Sequence, residues 1–165
     1  MRKWREEGML TRITITFSAI ILLLFACQQK SIVDVEAEKG AVAGVLDNYV
    51  KSIIDEDMDL YGQVVAHDTD MVNFGAFGDP IIGWEALKTI IAGQNEMLSG
   101  TSIDVSDVNI HIGPDGTVAW ATSLWGLKAM AGENEMNLPV RCTWVLEKRE
   151  AGWVIVHFHK SIAAG

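Results

Sequence analysis

Near its C-terminus the chain reads Trp153-Val154-Ile155-Val156-His157-Phe158-His159-Lys160-Ser161, a run that sets two imidazoles, an ammonium and a hydroxyl close together. Side chains alternate along a strand. Read that way, Trp153, Ile155, His157, His159 and Ser161 share one face, and Val154, Val156, Phe158 and Lys160 share the other. His157 and His159 offer two nitrogens to a metal, with His111 as a third ligand if neighbouring strands align. No cysteine pair and no Glu-His helix motif accompanies them, so no metal site and no cofactor are expected. His67 with Asp68 and Asp70 is a second acid–base set, although a helix end followed by a turn accounts for those residue types locally. Ser123 and Ser161 lack the context of a nucleophile elbow, and no glycine-rich phosphate loop occurs.

The elements that must position these groups follow from periodicity. Val42, Val45, Leu46, Tyr49, Val50, Ile53 and Ile54 recur at helical spacing, with Asp47, Asn48, Lys51 and Ser52 opposite. Asp57 caps a short second helix running to Val65. A brief strand, Met71 to Phe74, and a loop from Gly75 to Gly83 precede a third helix from Trp84 to about Leu98, which Ser99-Gly100 ends. The period then changes to that of strands: Ser102 to Ile112, Thr117 to about Met130, Asn137 to Lys148, and Trp153 to Ile162. Three helices followed by a four-stranded meander predict an α+β domain with helices against one face of a curved antiparallel sheet. Trp84, Trp120, Trp125, Trp144 and Trp153 fall within these elements, where core packing is the ordinary use of tryptophan, and Cys142 reads as a small apolar residue.

The first 27 residues have a different character. Arg2, Lys3, Arg5 and Arg12 precede an apolar run from Ile13 to Ala26, too short to span a bilayer but suited to a secretory signal. Glu6 and Glu7 interrupt the basic start, which leaves Met9 as an alternative to Met1 for initiation. Leu24-Phe25-Ala26-Cys27 resembles the lipobox of bacterial lipoproteins, with Phe25 in place of the usual small residue. The resemblance implies lipidation at Cys27, and Gln28 after it implies the periplasmic face of the outer membrane. The expected organisation is a signal segment over 1–27, a polar tether over 28–38 and a folded domain over 39–165. Cleavage before Cys27 removes four of the 13 basic and two of the 22 acidic residues, leaving 9 against 20 and a formal charge of −11. That balance repels phosphate backbones and argues against nucleic acid as a partner. With Cys27 lipidated, Cys142 is the remaining thiol, so no intrachain disulfide is expected.

Several strings carry a resemblance. They are Tyr49-Val50, Asp57-Met58-Asp59-Leu60-Tyr61, His67-Asp68-Thr69-Asp70, Gly83-Trp84-Glu85-Ala86-Leu87, Ala119-Trp120, Arg141-Cys142-Thr143, and Gly152 through His159. Together they resemble the SnoaL-like domains of the nuclear transport factor two-like superfamily, over about Val42 to Ser161. The last string is also similar to the end of the association domain of calcium/calmodulin-dependent protein kinase. The resemblance implies a cone in which the curved sheet wraps around three N-terminal helices to form a pocket, with the outer sheet face pairing two subunits.

By comparison with steroid isomerases of this fold, Tyr49 stands at the oxyanion tyrosine, Asn73 at the base and Trp144 at the second acid. An amide cannot accept a carbon-bound proton near neutral pH, and an indole cannot act as a protonated carboxyl. That reaction is therefore not expected. By comparison with the kinase domain, Trp144 and Lys160 face the helices, which brings Val156, Phe158, Cys142 and Leu146 to the same side. The same comparison adds Trp120, Thr122 and Leu124. The expected ligand-binding set is thus Tyr49, Asn73, Trp120, Thr122, Trp144, Phe158 and Lys160, an aromatic pocket with one cation. It suits a small apolar or amphipathic, anionic molecule. Arg141, Thr143, His157 and His159 then share the outer face as the polar framework of a homodimer interface. Two alternatives stay open: an isomerase, cyclase or hydrolase using Tyr49 with a residue of the His67–Asp70 segment, and a purely structural dimerisation module.

Overall fold

Asp34 starts the first helix. Its carboxylate accepts a hydrogen bond from the Ala37 N–H at 3.1 Å, and Glu36 and Glu38 place negative charge in the first turn. In the computed structural model, which describes residues 33–163, this helix, α1, runs Val35–Ile54. It takes in the last four residues of the stretch 28–38 expected as a tether. A tertiary tie adds to the Asp34 cap: Glu38 accepts hydrogen bonds from Lys148 at 2.5 Å and from the Trp153 indole at 2.8 Å, which joins the start of α1 to the sheet. The signal segment, Cys27 included, lies outside the described residues.

Asp57 caps α2, Met58–Val64, through the Leu60 N–H at 2.9 Å, as its position before the apolar run implies. β1, Val72–Asn73, pairs antiparallel with β2, Ile81–Ile82, inside the stretch expected to be loop. A two-residue strand is too short for alternation to show in a sequence. α3 covers Trp84–Met97, and Gly83 before it has φ +79°; a Cβ there would sit 2.7 Å from the Thr69 carbonyl oxygen. The chain passes directly from α3 into β3, Leu98–Ile112, four residues earlier than Ser102. β4 (Val118–Ala131), β5 (Asn134–Arg149) and β6 (Gly152–Ile162) complete an antiparallel meander of order β3-β4-β5-β6. The three helices and the curved sheet make the α+β cone architecture.

Two features of register decide which side chains face the helices. The hairpin between β4 and β5 pairs Ala131 with Asn134, which sets Ala121 opposite Trp144 and Ser123 opposite Cys142. In β6, Val145 pairs with His157 but Leu146 pairs with Ile155, so Val156 is an extra, bulged residue. Alternation resumes in opposite phase on either side of it. Trp153, Ile155 and Phe158 are all buried, while Val156 is only partly buried against the core and does not line the cavity that Phe158 lines.

Candidate functional site

The inner face of β4 carries Ala119, Ala121, Ser123 and Trp125, all buried, and the outer face carries Trp120, Thr122 and Leu124, all exposed. This overturns the placement of Trp120 and Thr122 in the pocket. Hydrophobicity alone favours tryptophan and leucine for the inside, but on the inner face Ala119 and Ala121 stand opposite Leu146 and Trp144 of β5, and small residues leave room for these large cross-strand partners. Tyr49 of α1 is fully buried, with ring centroids 5.4 Å from Tyr61, 6.2 Å from Trp125, 6.1 Å from Trp144 and 6.0 Å from Phe158. Its hydroxyl is enclosed by protein and has no hydrogen-bond partner among the described residues. Burial, and then the neighbouring Tyr61, raises its pKa well above the ordinary phenol value, so the group stays neutral.

Beside this aromatic cluster lies a cavity of about 450 Å³. Its walls come from the end of α1, the β1–β2 loop, α3 and the inner face of the sheet. Ile53, Phe77, Ile91, Trp125, Leu138 and Phe158 give it an apolar lining. Lys160 is the single cation among the lining residues, with the carboxylates of Glu56 and Asp79 also on the wall. Its Nζ stands 4.7 Å from the Trp125 ring centroid and 5.1 Å from those of Tyr49 and Phe158. Among the described residues no carboxylate pairs with it. Burial among these faces lowers its pKa to about 8. Its cross-strand partner Cys142 is buried as well, and desolvation pushes that thiol up to about 12.

Of the residues expected to bind ligand, the structure brings Phe158 and Lys160 to the cavity. Tyr49 contributes a ring face under Lys160, not its hydroxyl. Trp144 sits behind Trp125, 5.7 Å between ring centroids, and borders a smaller cleft of about 250 Å³ against α1. Asn73 is a strut: its Oδ1 accepts a hydrogen bond from the Phe158 N–H at 2.9 Å and holds β1 to β6. Trp125, Leu138 and Val140 were missed, yet a signal was present. Pairing outward from the two-residue turn Gly132-Glu133 places Trp125 opposite Val140 and identifies the inner parity of both strands.

The outer face holds Arg141, Thr143 and His159, all exposed, beside Thr122 and Trp120. His157 is half-buried, its Nδ1 hydrogen-bonded to the Val72 carbonyl of the same chain at 2.5 Å. His111 stacks on Trp120 at 5.2 Å, and the register puts it three strands from His157, roughly 14 Å across the sheet. These imidazoles do not converge on a metal. His67 stacks on Trp84 at 4.0 Å, with Nε2 hydrogen-bonded to the Gly62 carbonyl. Asp68 accepts a forked pair of bonds from Arg149, which holds its carboxyl below the usual range. Neither is among the residues that line the cavity with Lys160.

The lowered Lys160 pKa has a measurable sign. The unfolded chain keeps this proton to about pH 10.5, while the folded chain releases it near 8. Between these values the unfolded state binds more protons, so the Lys160 contribution to stability rises with pH and is flat below 8. Cys142 acts oppositely from its ordinary 9.0 upward. Comparison with Lys160→Met cancels Cys142: the stability advantage of the Met variant is expected to shrink by on the order of 2 to 3 kcal/mol from pH 8 to 10.5. Urea unfolding at several pH values measures this, and a pH-independent difference would show that the ammonium is not desolvated.

Comparison with known proteins gives this geometry its family. A nuclear transport factor 2-like superfamily protein from Salmonella enterica serovar Typhimurium superimposes with a TM-score of 0.72 at 22% identity, over 79% of this chain and 94% of that one. An NTF2-like protein from Streptomyces avermitilis, provisionally described as a dehydratase, superimposes with a TM-score of 0.71 at 12% identity, over 79% and 99%. A Thiobacillus denitrificans protein, provisionally described as a calcium/calmodulin-dependent protein kinase type II association domain, gives 0.61 at 15% identity, over 73% and 93%. No curated protein matches the sequence. The model of the SnoaL-like domain matches residues 42–165, three helices and a meander enclosing the cavity just described, and the chain belongs to that family.

Proposed function

We propose that this protein binds a small, largely apolar molecule with an anionic end, and that it does so in the cavity beside Lys160. The carrying observation is the lone ammonium of Lys160 in a mostly apolar wall, over three aromatic rings and without a carboxylate paired to it among the described residues. Three ring faces offset part of the desolvation cost of the ammonium, but an aromatic face is a weaker partner than an anion. A carboxylate entering the cavity gains a charge-assisted hydrogen bond, and its binding favours the protonated lysine. The volume falls within the roughly 300–1,000 Å³ typical of small-molecule sites. Trp125, which lines the cavity and lies closest to Nζ, is the natural reporter.

Titration with a panel of small aromatic and aliphatic acids is expected to change tryptophan fluorescence in the wild type. Lys160→Met keeps much of the stem's volume and should lose carboxylate binding by about 10-fold or more while the fold is retained. Equal binding of the same acids by both proteins would refute the assignment.

The proposed setting is the cell envelope. A signal over residues 1–27 and lipidation of Cys27 would anchor the domain at the periplasmic face of the outer membrane, supported by the apolar run and its terminal Leu-Phe-Ala-Cys. Cys27→Ser should shift the protein to the soluble fraction or leave it unprocessed; unchanged mass and detergent partitioning would exclude the anchor.

A homodimer through the outer sheet face is the proposed assembly. It is supported by the exposure of Trp120 and Leu124, each 45% accessible, next to Arg141, Thr143 and His159. Leu124→Arg, on an outward-facing position, should convert the dimer to monomer in sedimentation at micromolar concentration without lowering helix or strand content. A wild-type monomer under the same conditions would exclude this interface.

A further inference from the structure

We infer that Lys160 forms reversible imines with small aldehydes or ketones that enter the cavity, its amine ending in an apolar wall over three aromatic faces with no carboxylate beside it. The inference rests on reading this cavity as a small-molecule site, and it names a second chemistry for the same nitrogen.

A carbonyl carbon is attacked by a neutral amine, and an ion pair with Asp or Glu would hold the lysine charged. Among the described residues Lys160 has no such pair. Desolvation favours the neutral form, and the ring faces that favour the cation offset it only in part. Cys142 on β5 stays a thiol, and the Tyr49 phenol on α1 stays neutral. Glu56 and Asp79 are exposed on the cavity wall. A pKa near 8 leaves a substantial fraction of free amine at mildly alkaline pH.

The reaction balances without a further reagent. The amine nitrogen bonds to the carbonyl carbon, and one of its protons passes to the oxygen to give a carbinolamine. Protonation of that hydroxyl by solvent breaks the C–O bond and releases water. The nitrogen is left as an iminium with one positive charge, the same charge as the starting ammonium. The faces of Trp125, Tyr49 and Phe158 that stabilise the ammonium stabilise this cation too. The apolar lining limits access of the water that would hydrolyse it.

The test treats the full-length chain with benzaldehyde and sodium cyanoborohydride at pH 7.5, stops the reaction early, and locates benzylated lysines by peptide mass mapping. At this pH the free-amine fraction at a pKa of about 8 exceeds that of an ordinary lysine by roughly 200-fold. Allowing for the lower nucleophilicity of a weaker base, Lys160 should label about 10-fold faster than Lys39, Lys51, Lys88 or Lys128. Benzyl alcohol, which fits the same space but has no carbonyl, should slow labelling at Lys160 alone and should perturb tryptophan fluorescence. Lys160→Met should lose the fast label and keep the response to benzyl alcohol; should that variant not fold, the wild-type map and the benzyl alcohol competition still decide. Binding of benzyl alcohol with no preference for Lys160 overturns imine formation and leaves the cavity assignment standing. No response to either compound overturns both.

Discussion

Tyr49 is the point on which this fold closes. From one fully buried position on α1 it meets a ring from each of four other elements: Tyr61 on α2, Trp125 on β4, Trp144 on β5 and Phe158 on β6. Aromatic pairs at such tilted and edge-on angles contribute about 0.5 to 1.5 kcal/mol each beyond the area they bury. More important is the geometry they impose. A ring this large, set this deep, holds Trp125, Trp144 and Phe158 on the inner face of three adjacent strands, and two of them, Trp125 and Phe158, go on to line the cavity.

The cavity's electrostatics depend on the same cluster. In this chain of formal charge −9 several cations are held by carboxylates, and among the described residues Lys88, Lys128 and Arg141, which are not, lie exposed to solvent. Arg149 pairs with Asp68 and Glu147, Lys148 with Glu38, and Lys51 with Asp55. Lys160 instead projects over aromatic faces at the wall of an apolar space. Its charge is available to whatever enters, and so is its nitrogen when the proton is lost.

One extra residue separates the two roles of the last strand. The bulge at Val156 lets His157 turn away to the Val72 carbonyl, while Phe158 and Lys160 turn inward. Beyond it, His159 returns to the outer face beside Thr143 and packs against Phe74. Without the bulge, Trp153 and Ile155 would share a face with His157, and the strand could not both complete the core and line the cavity.

Element types and their order were legible in the sequence because they depend on local periodicity and on capping residues such as Asp57 that act within a few positions. The face of Phe158 and Lys160 was legible only through resemblance. The pocket face of β4 was misjudged because apolar character marks a residue as able to be buried, not as the one that fits. Trp120 is more apolar than Ala121, yet the register sets Ala121 opposite the inward Trp144 and turns Trp120 outward. The start of α1 at Val35 has a local signal, the Asp34 cap on the Ala37 N–H, beside a non-local tie, Glu38 with Lys148 and Trp153, that joins residues more than 100 positions apart. Composition and alternation determined that an acidic α+β domain with an aromatic core would form. Packing volume and strand register, which exist only when distant segments meet, decided that a lysine would stand alone in its cavity.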